Sequence, residues 1–330
     1  MRRDLTKINL LNIGLMLLSC LIAYVVPLEL FLFSYVVLGP LHYLTQISWL
    51  QKRRFYTQGK HDYLFLVILC AAILSLALLR SRISSSFFIA VGFGSAVALA
   101  FFRQTKHKLI FISLVVLAAV LARRLPAYGL LFGTFLPTII HVYIFTGLFI
   151  LYGALKSRST LAYLSLCVFL ACGSIFFIYN PTLLSISDNA YLRAAYVPFQ
   201  RMTLYLSRVL GTSSLGSAAD LYDAGAGVAL LRFVAYAYTY HYLNWFSKTS
   251  LIGWHEVSRR RMSLILILWL LSVGIYAIDY RMGFAILLVL SVGHVILEFP
   301  LNHQTIWGIA REIKKRLRPR PAFREQGASS

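Results

Sequence analysis

Ten apolar runs, each separated from the next by polar residues that are mostly basic, constrain this chain more than any other feature. They lie at about 8–26, 28–50, 63–80, 86–103, 108–123, 127–154, 160–179, 225–247, 261–279 and 282–300. At about 1.5 Å of rise per residue, most are long enough for the roughly 30 Å hydrocarbon layer of a bilayer. Inside that layer the backbone must satisfy its own hydrogen bonds, so an apolar run there becomes a helix. The sequence therefore predicts an all-α, polytopic transmembrane helical bundle of about ten spans, the fifth being the shortest. Composition agrees. Hydrophobic residues are 59 % of the 330 and charged ones 13 %, about half the share usual in soluble domains. Disorder, a coiled coil and a disulfide scaffold are excluded on the same grounds. Cys20, Cys70, Cys167 and Cys172 sit inside apolar runs without a CxxC pair and read as small core residues.

The net charge of +21 invites a nucleic-acid reading, but the basic residues lie between apolar runs, as membrane topology requires. With the N-terminus inside, 23 of the 32 Lys and Arg fall on cytoplasmic segments and 8 on outer ones, with Arg232 inside a span. That split predicts that both termini are cytoplasmic and that the first run is a retained span. Trp49, Trp245, Trp254 and Trp307 fall near the inner boundaries, as an aromatic belt does. Residues 1–310 read as one transmembrane domain. Residues 311–330 read as a basic, disordered cytoplasmic tail lying against anionic lipids. The long outer connection, 180–224, places Phe199, Met202, Leu206 and Val209 at helical spacing, with Arg201 and Arg208 on another face. It reads as an interfacial helix on the outer leaflet, or as a lid or substrate-entry element.

Four of the eight histidines lie inside spans: His42, His141, His241 and His294, on spans two, six, eight and ten. All four spans run from outside to inside. Three of the histidines lie about 9–12 Å from the inner boundary and His141 somewhat deeper. Ionisable residues inside a membrane are functional candidates by default. Neutral imidazole is the commonest metal ligand and suits iron, copper and zinc. The plainer alternative is that each histidine hydrogen-bonds a neighbouring helix. His61, His107 and His303 lie in or beside inner loops, and His255 is ambiguous.

The surroundings favour a shared site. Gly39-Pro40 precedes His42 and should loosen the helix there. Gln46, one turn on, is placed to support His42. Asn244 follows His241 by three residues, and Glu298 follows His294 by four, on the same face. Glu298 is thus placed to orient an imidazole or to act as a ligand. Its plainer role is an interfacial carboxylate. Pro137 and Thr138 precede His141, and Thr146-Gly147 follow it, as in a small-residue helix contact. Arg232 is expected to pair with Asp220, Asp223 or Asp279.

Gly39-x-Leu41-His42, Tyr240-His241-Tyr242 and Gly293-His294 together resemble the Brp/Blh family of membrane β-carotene 15,15′-dioxygenases of bacteria and archaea. The likeness rests on these scattered motifs and on length and hydrophobicity. After the first histidine the chain has Tyr43, Thr45 and Gln46 where the family has Gly and Asp. The resemblance implies an iron(II) site held by His42, His241 and His294, with His141 as the fourth ligand. It also implies dioxygen as co-substrate and cleavage of a carotenoid to retinal, in a bacterial cytoplasmic membrane. Glu298 and Tyr240 are then the candidate catalytic side chains. A lipophilic substrate taken from the bilayer, and no nucleic acid, is the matching partner.

Three rival readings stay open: a haem-binding electron carrier, a transporter or lipid-handling protein using intramembrane His and Glu without redox chemistry, and a lipid-linked glycosyltransferase using Glu29, Asp220 or Asp223.

Overall fold

The computed structural model describes residues 2–78, 84–181, 189–211, 215–223, 225–248, 253–254 and 257–317. The Ser187-Asp188 segment, His255 and residues 318–330 lie outside them. Among the described residues the protein is helical, with no strand. Its main helices are α1 (Arg2–Val25), α2 (Pro27–Lys52), α3 (Tyr63–Leu78), α4 (Ser86–Phe101), α5 (Thr105–Ala122) and α6 (Pro126–Ser157). They continue with α7 (Thr160–Ile178), α8 (Ala190–Val209), α9 (Gly225–Phe246), α10 (Arg259–Ile278) and α11 (Tyr280–Leu317). Each of the ten apolar runs forms a helix, and α8 is added between the seventh and eighth. Among the described residues, seven helices are long and apolar enough to cross a membrane: α1, α2, α5, α6, α7, α10 and α11. α3 and α4 are shorter, and α9 carries many polar side chains.

Local chemistry sets the helix ends. Pro27 and Pro126 open α2 and α6, where a missing N–H is harmless. The Asn189 side chain caps α8 by accepting from the Tyr191 and Leu192 N–H groups, and Ser258 caps α10 through the Arg261 N–H. Two helices change their winding inside. α2 widens to π geometry over Ser34–Leu38, where the Gly39 N–H reaches back to the Ser34 carbonyl. α6 is π-wound over Leu131–Phe145, around Pro137. A proline in mid-helix removes an N–H and crowds the preceding turn, and a wider winding accommodates both.

Helices α2, α6, α9 and α11 carry His42, His141, His241 and His294. Each packs on two of the others: α9 on α2 and α6, and α11 on α2 and α6. These four helices form the inner square of the bundle. The others surround it, α1 and α7 against α9, and α4 and α10 against α11.

Three expectations need correction. The helix expected on the outer leaflet, α8, buries Phe199, Met202 and Leu206 but leaves Val209 exposed. Its apolar face packs on protein, with Phe199 against Phe31, Tyr35 and Phe284. The boundary expected at residue 310 falls inside α11, which continues to Leu317 with Lys315 paired to Glu312. Arg232, fully buried, donates to the Asn180 side chain and lies over the Tyr24 ring. The three acids expected to pair with it have other partners. Asp223 faces Arg193 at 3.9 Å. Asp279 accepts from the Met282 N–H. Asp220 accepts from the backbone N–H groups of Ser217 and Gly216, and those bonds hold its carboxyl below the usual carboxylate range.

The α10–α11 hairpin is so tight that a Cβ on Gly283 would stand 2.2 Å from the Tyr276 Cα. Gly283→Ala therefore forces the two helices apart and should destabilise the protein by about 1–3 kcal/mol. Gly274→Ala, whose added carbon meets nothing within 4 Å, should leave stability unchanged. Thermal unfolding of the two variants in detergent checks the pair.

Candidate metal centre

The inner square brings the four intramembrane histidines together. All are buried, with exposures of 1 % for His42, 1 % for His141, 8 % for His241 and 2 % for His294. His42, His241 and His294 each offer a ring nitrogen, and the three atoms lie within 4.8 Å of one another. His141 stands beside them. Its Nε2 is 3.1 Å from His294 Nε2, and its ring centroid is 5.0 Å from that of His241. The His42 ring lies 4.8 Å from His241 and 5.3 Å from His294.

Hydrogen bonds from the surrounding helices set two tautomers. Thr146 Oγ1 gives its only proton to the Val142 carbonyl at 2.7 Å. It must therefore accept from His241 Nδ1, 2.8 Å away, which leaves the His241 Nε2 lone pair bare. His294 Nδ1 donates to the Leu290 carbonyl at 3.3 Å, which leaves Nε2 unprotonated, facing His141 Nε2 at 3.1 Å. Metal-bound histidines are held in this way, one nitrogen fixed by an oxygen and the other free. His241 Nε2, both nitrogens of His42 and His141 Nδ1 are buried without a hydrogen bond. Burying such a group unpaired costs about 1–3 kcal/mol.

These residues fit a first-row divalent ion. Two nitrogens each about 2.1 Å from an ion, at right angles, lie about 3.0 Å apart. The 3.1 Å between His141 and His294 matches that edge, and equally a hydrogen bond from His141. The ring nitrogens of His42, His241 and His294, spread over up to 4.8 Å, would have to draw together by about 1–2 Å to share one ion. Imidazole centroids about 5 Å apart leave no slot for a porphyrin plane, so the haem reading is set aside.

Tyrosines lock the rings from outside. Tyr43 stacks on His294 at 4.3 Å and 21°. Its hydroxyl bonds that of Tyr242 at 2.6 Å, and Tyr242 packs on His42. A Cβ on Gly39 would stand 2.9 Å from the Tyr43 hydroxyl, so the glycine makes room for this pair. Trp245 packs edge-on to His42 and donates to Thr45 Oγ1.

The expected supporting residues are placed differently. The hydroxyl of Tyr240 gives its one proton to Asn12 Oδ1 at 3.0 Å, with Asn244 Oδ1 3.4 Å away, and its ring packs on Phe169 and Tyr236. It faces α1 and α7, because one residue of helix turns a side chain by about 100°. Glu298 does not hold His294, which bonds Leu290; it accepts a hydrogen bond from Gln46. Gln46 thus supports Glu298 rather than His42. Thr146, Tyr43 and Tyr242 are the supporting residues that spacing alone missed. All three sit next to a histidine or three to five residues from one in the sequence, which is the signal available.

A cavity of about 530 Å³, within the range of small-molecule sites, is lined by none of the four histidines but by residues one to three positions before three of them, Thr138, Tyr238 and Gly293. Its wall includes Tyr35, Pro137, Thr138, Tyr238, Val292 and Phe199. On each of the four inner helices, the lining residues precede the histidine. All four chains therefore pass the cavity first and the cluster second.

If the cluster holds a metal through a fixed tautomer, Thr146→Val should weaken divalent-cation affinity by about 10- to 100-fold. Tyr240→Phe should leave it unchanged. Titration of the purified variants with Co(II), read by its visible absorption, checks both. Neither a family model nor a curated protein nor a solved structure matches the chain.

Proposed function

We propose that the protein is a membrane-embedded oxygenase with a four-histidine iron(II) centre, acting on a carotenoid or similar lipophilic polyene. The observation that carries this reading is the cluster of His42, His241 and His294, whose ring nitrogens lie within 4.8 Å of one another, with His141 3.1 Å from His294, a few residues past the lining of a largely apolar cavity. Iron(II) held by these histidines would supply dioxygen binding and activation. The remaining work falls to the chain. Thr146 and the Leu290 carbonyl present Nε2 of His241 and His294 to the centre. Tyr43 and Tyr242 keep the rings from turning. Apolar walls from α3, α4, α6 and α11 hold a long hydrophobic chain and exclude water from it. The likeness of the Gly39-x-Leu41-His42, Tyr240-His241-Tyr242 and Gly293-His294 motifs to Brp/Blh enzymes supports cleavage of a polyene, with retinal as a candidate product.

The same reading includes the topology. Ten spans with both ends in the cytoplasm would place the cavity on the outer side of the cluster, within the bilayer. A substrate dissolved in lipid would then enter sideways and meet the centre end-on to its cavity.

Expression in carotenoid-accumulating cells tests the reading. The wild type should bleach the cells, release an aldehyde product, and purify with about one iron per chain. His241→Ala should lose the iron and the bleaching together. Thr138→Phe, which fills the cavity wall, should keep the iron and lose most of the bleaching. Iron-free wild-type protein from cells that stay coloured would overturn the proposal.

A further inference from the structure

The side of the cluster opposite the cavity is polar. Helices α2 and α11 run together there, and each carries a row at i, i+4 spacing. On α2 the row is His42 and Gln46. On α11 it is His294, Glu298 and Asn302. The two rows meet in rungs. His42 and His294 form the first, with ring centroids 5.3 Å apart. Gln46 donates to Glu298 in the second. Asn302 follows one turn further.

This seam is buried and under-bonded. Gln46, Glu298 and Asn302 are 4 %, 1 % and 0 % exposed. Gln46 Oε1, Glu298 Oε1, and both Nδ2 and Oδ1 of Asn302 are buried without a hydrogen-bond partner. Ser95, fully buried on the adjacent helix α4, has an unpartnered hydroxyl as well. Each buried polar group left unpaired costs free energy, and so many on one seam weigh heavily against a folded domain's small net stability. Hydrogen-bonded water removes the penalty where a site is polar enough to offer two to four partners. Past Asn302 both helices pack against the Arg54–Tyr56 turn. Gln304, two residues past Asn302, donates to the Tyr56 carbonyl at 2.8 Å, and the neighbouring Arg54 is exposed.

We infer that the α2–α11 seam holds a file of water molecules linking the histidine cluster to the surface at the Arg54–Tyr56 turn. Gln46, Glu298 and Asn302 are its walls, and water is its ligand. The file follows from the seam itself. Its service to the centre, as a route for water and protons opposite a water-excluding cavity, rests on the metal-centre reading.

Thiol accessibility in proteoliposomes tests it. The four native cysteines are first replaced by alanine. Asn302→Cys should then react with Ag(I), an ion near the size of water, about tenfold or more faster than Val295→Cys. Val295 is equally buried on the same helix. The reaction is read as protection from a maleimide added after denaturation. Equal rates would overturn the file. If Asn302→Cys does not fold, an experimental map of the wild type decides. Ordered solvent within hydrogen-bond reach of Asn302 and Glu298 supports the file, and direct pairing of the two side chains overturns it. Iron content of the wild-type protein is measured separately, so failure of the seam and failure of the metal centre can be told apart.

Discussion

An imidazole nitrogen sunk among hydrocarbon must find a partner, and four histidines impose that demand at one point in this bundle. Around that point the structure is arranged as a set of positioning contacts. Thr146 has a single proton and gives it to its own helix, so it can only accept from His241. The Leu290 carbonyl acts the same way on His294. Both contacts turn a lone pair inward. A histidine that served packing alone would gain more by using both its nitrogens on neighbouring helices. His42 uses neither, and it stands between His241 and His294.

Backbone winding aims the cluster. A regular α-helix repeats every 3.6 residues, and an inserted π turn shifts all that follows by one residue. α2 and α6 both carry π segments at or just before their histidines. The shift lets α2 present Tyr35 to the cavity and His42 to the cluster. It also brings Gly39 beneath the Tyr43–Tyr242 pair. Helix α9 has no such segment and reaches the cluster through aromatic bulk, with Tyr238 at the cavity and Tyr242 against His42.

This division explains what could be read in advance. The helices were legible because apolarity alone demands them, and the histidines because each breaks an apolar run. Their neighbours were harder to place. Spacing put Glu298 and His294 on one face, which holds, but it could not show that Gln46 of α2 would reach the carboxylate first. Tyr240 looked equivalent to Tyr242 beside His241, yet only Tyr242 faces His42. The pattern of α8 revealed an apolar face without revealing what covers it. Arg232 behaved similarly: its need for partners was evident, whereas Asn180 and the Tyr24 ring were not. In each case the missing information was a contact between distant segments, which local periodicity does not carry.

The two sides of the cluster differ in a way that bears on chemistry. The cavity side presents Tyr35, Pro137, Val292 and Phe199, a wall suited to a hydrophobic chain. The seam side presents an amide, a carboxyl group and a second amide within two helical turns. In the proposed centre, four neutral ligands would leave the charge of a divalent ion uncompensated. Glu298 lies one helical turn beyond His294, where a negative charge would offset part of it without occupying a coordination position. A carboxylate bound directly would tighten the metal but close the site. In the proposed centre, Glu298, held one turn away by Gln46, would offset the ion's charge without becoming a ligand. On the proposed reading, the same separation would keep water on the carboxyl side of the histidines and a lipid-soluble substrate on the other.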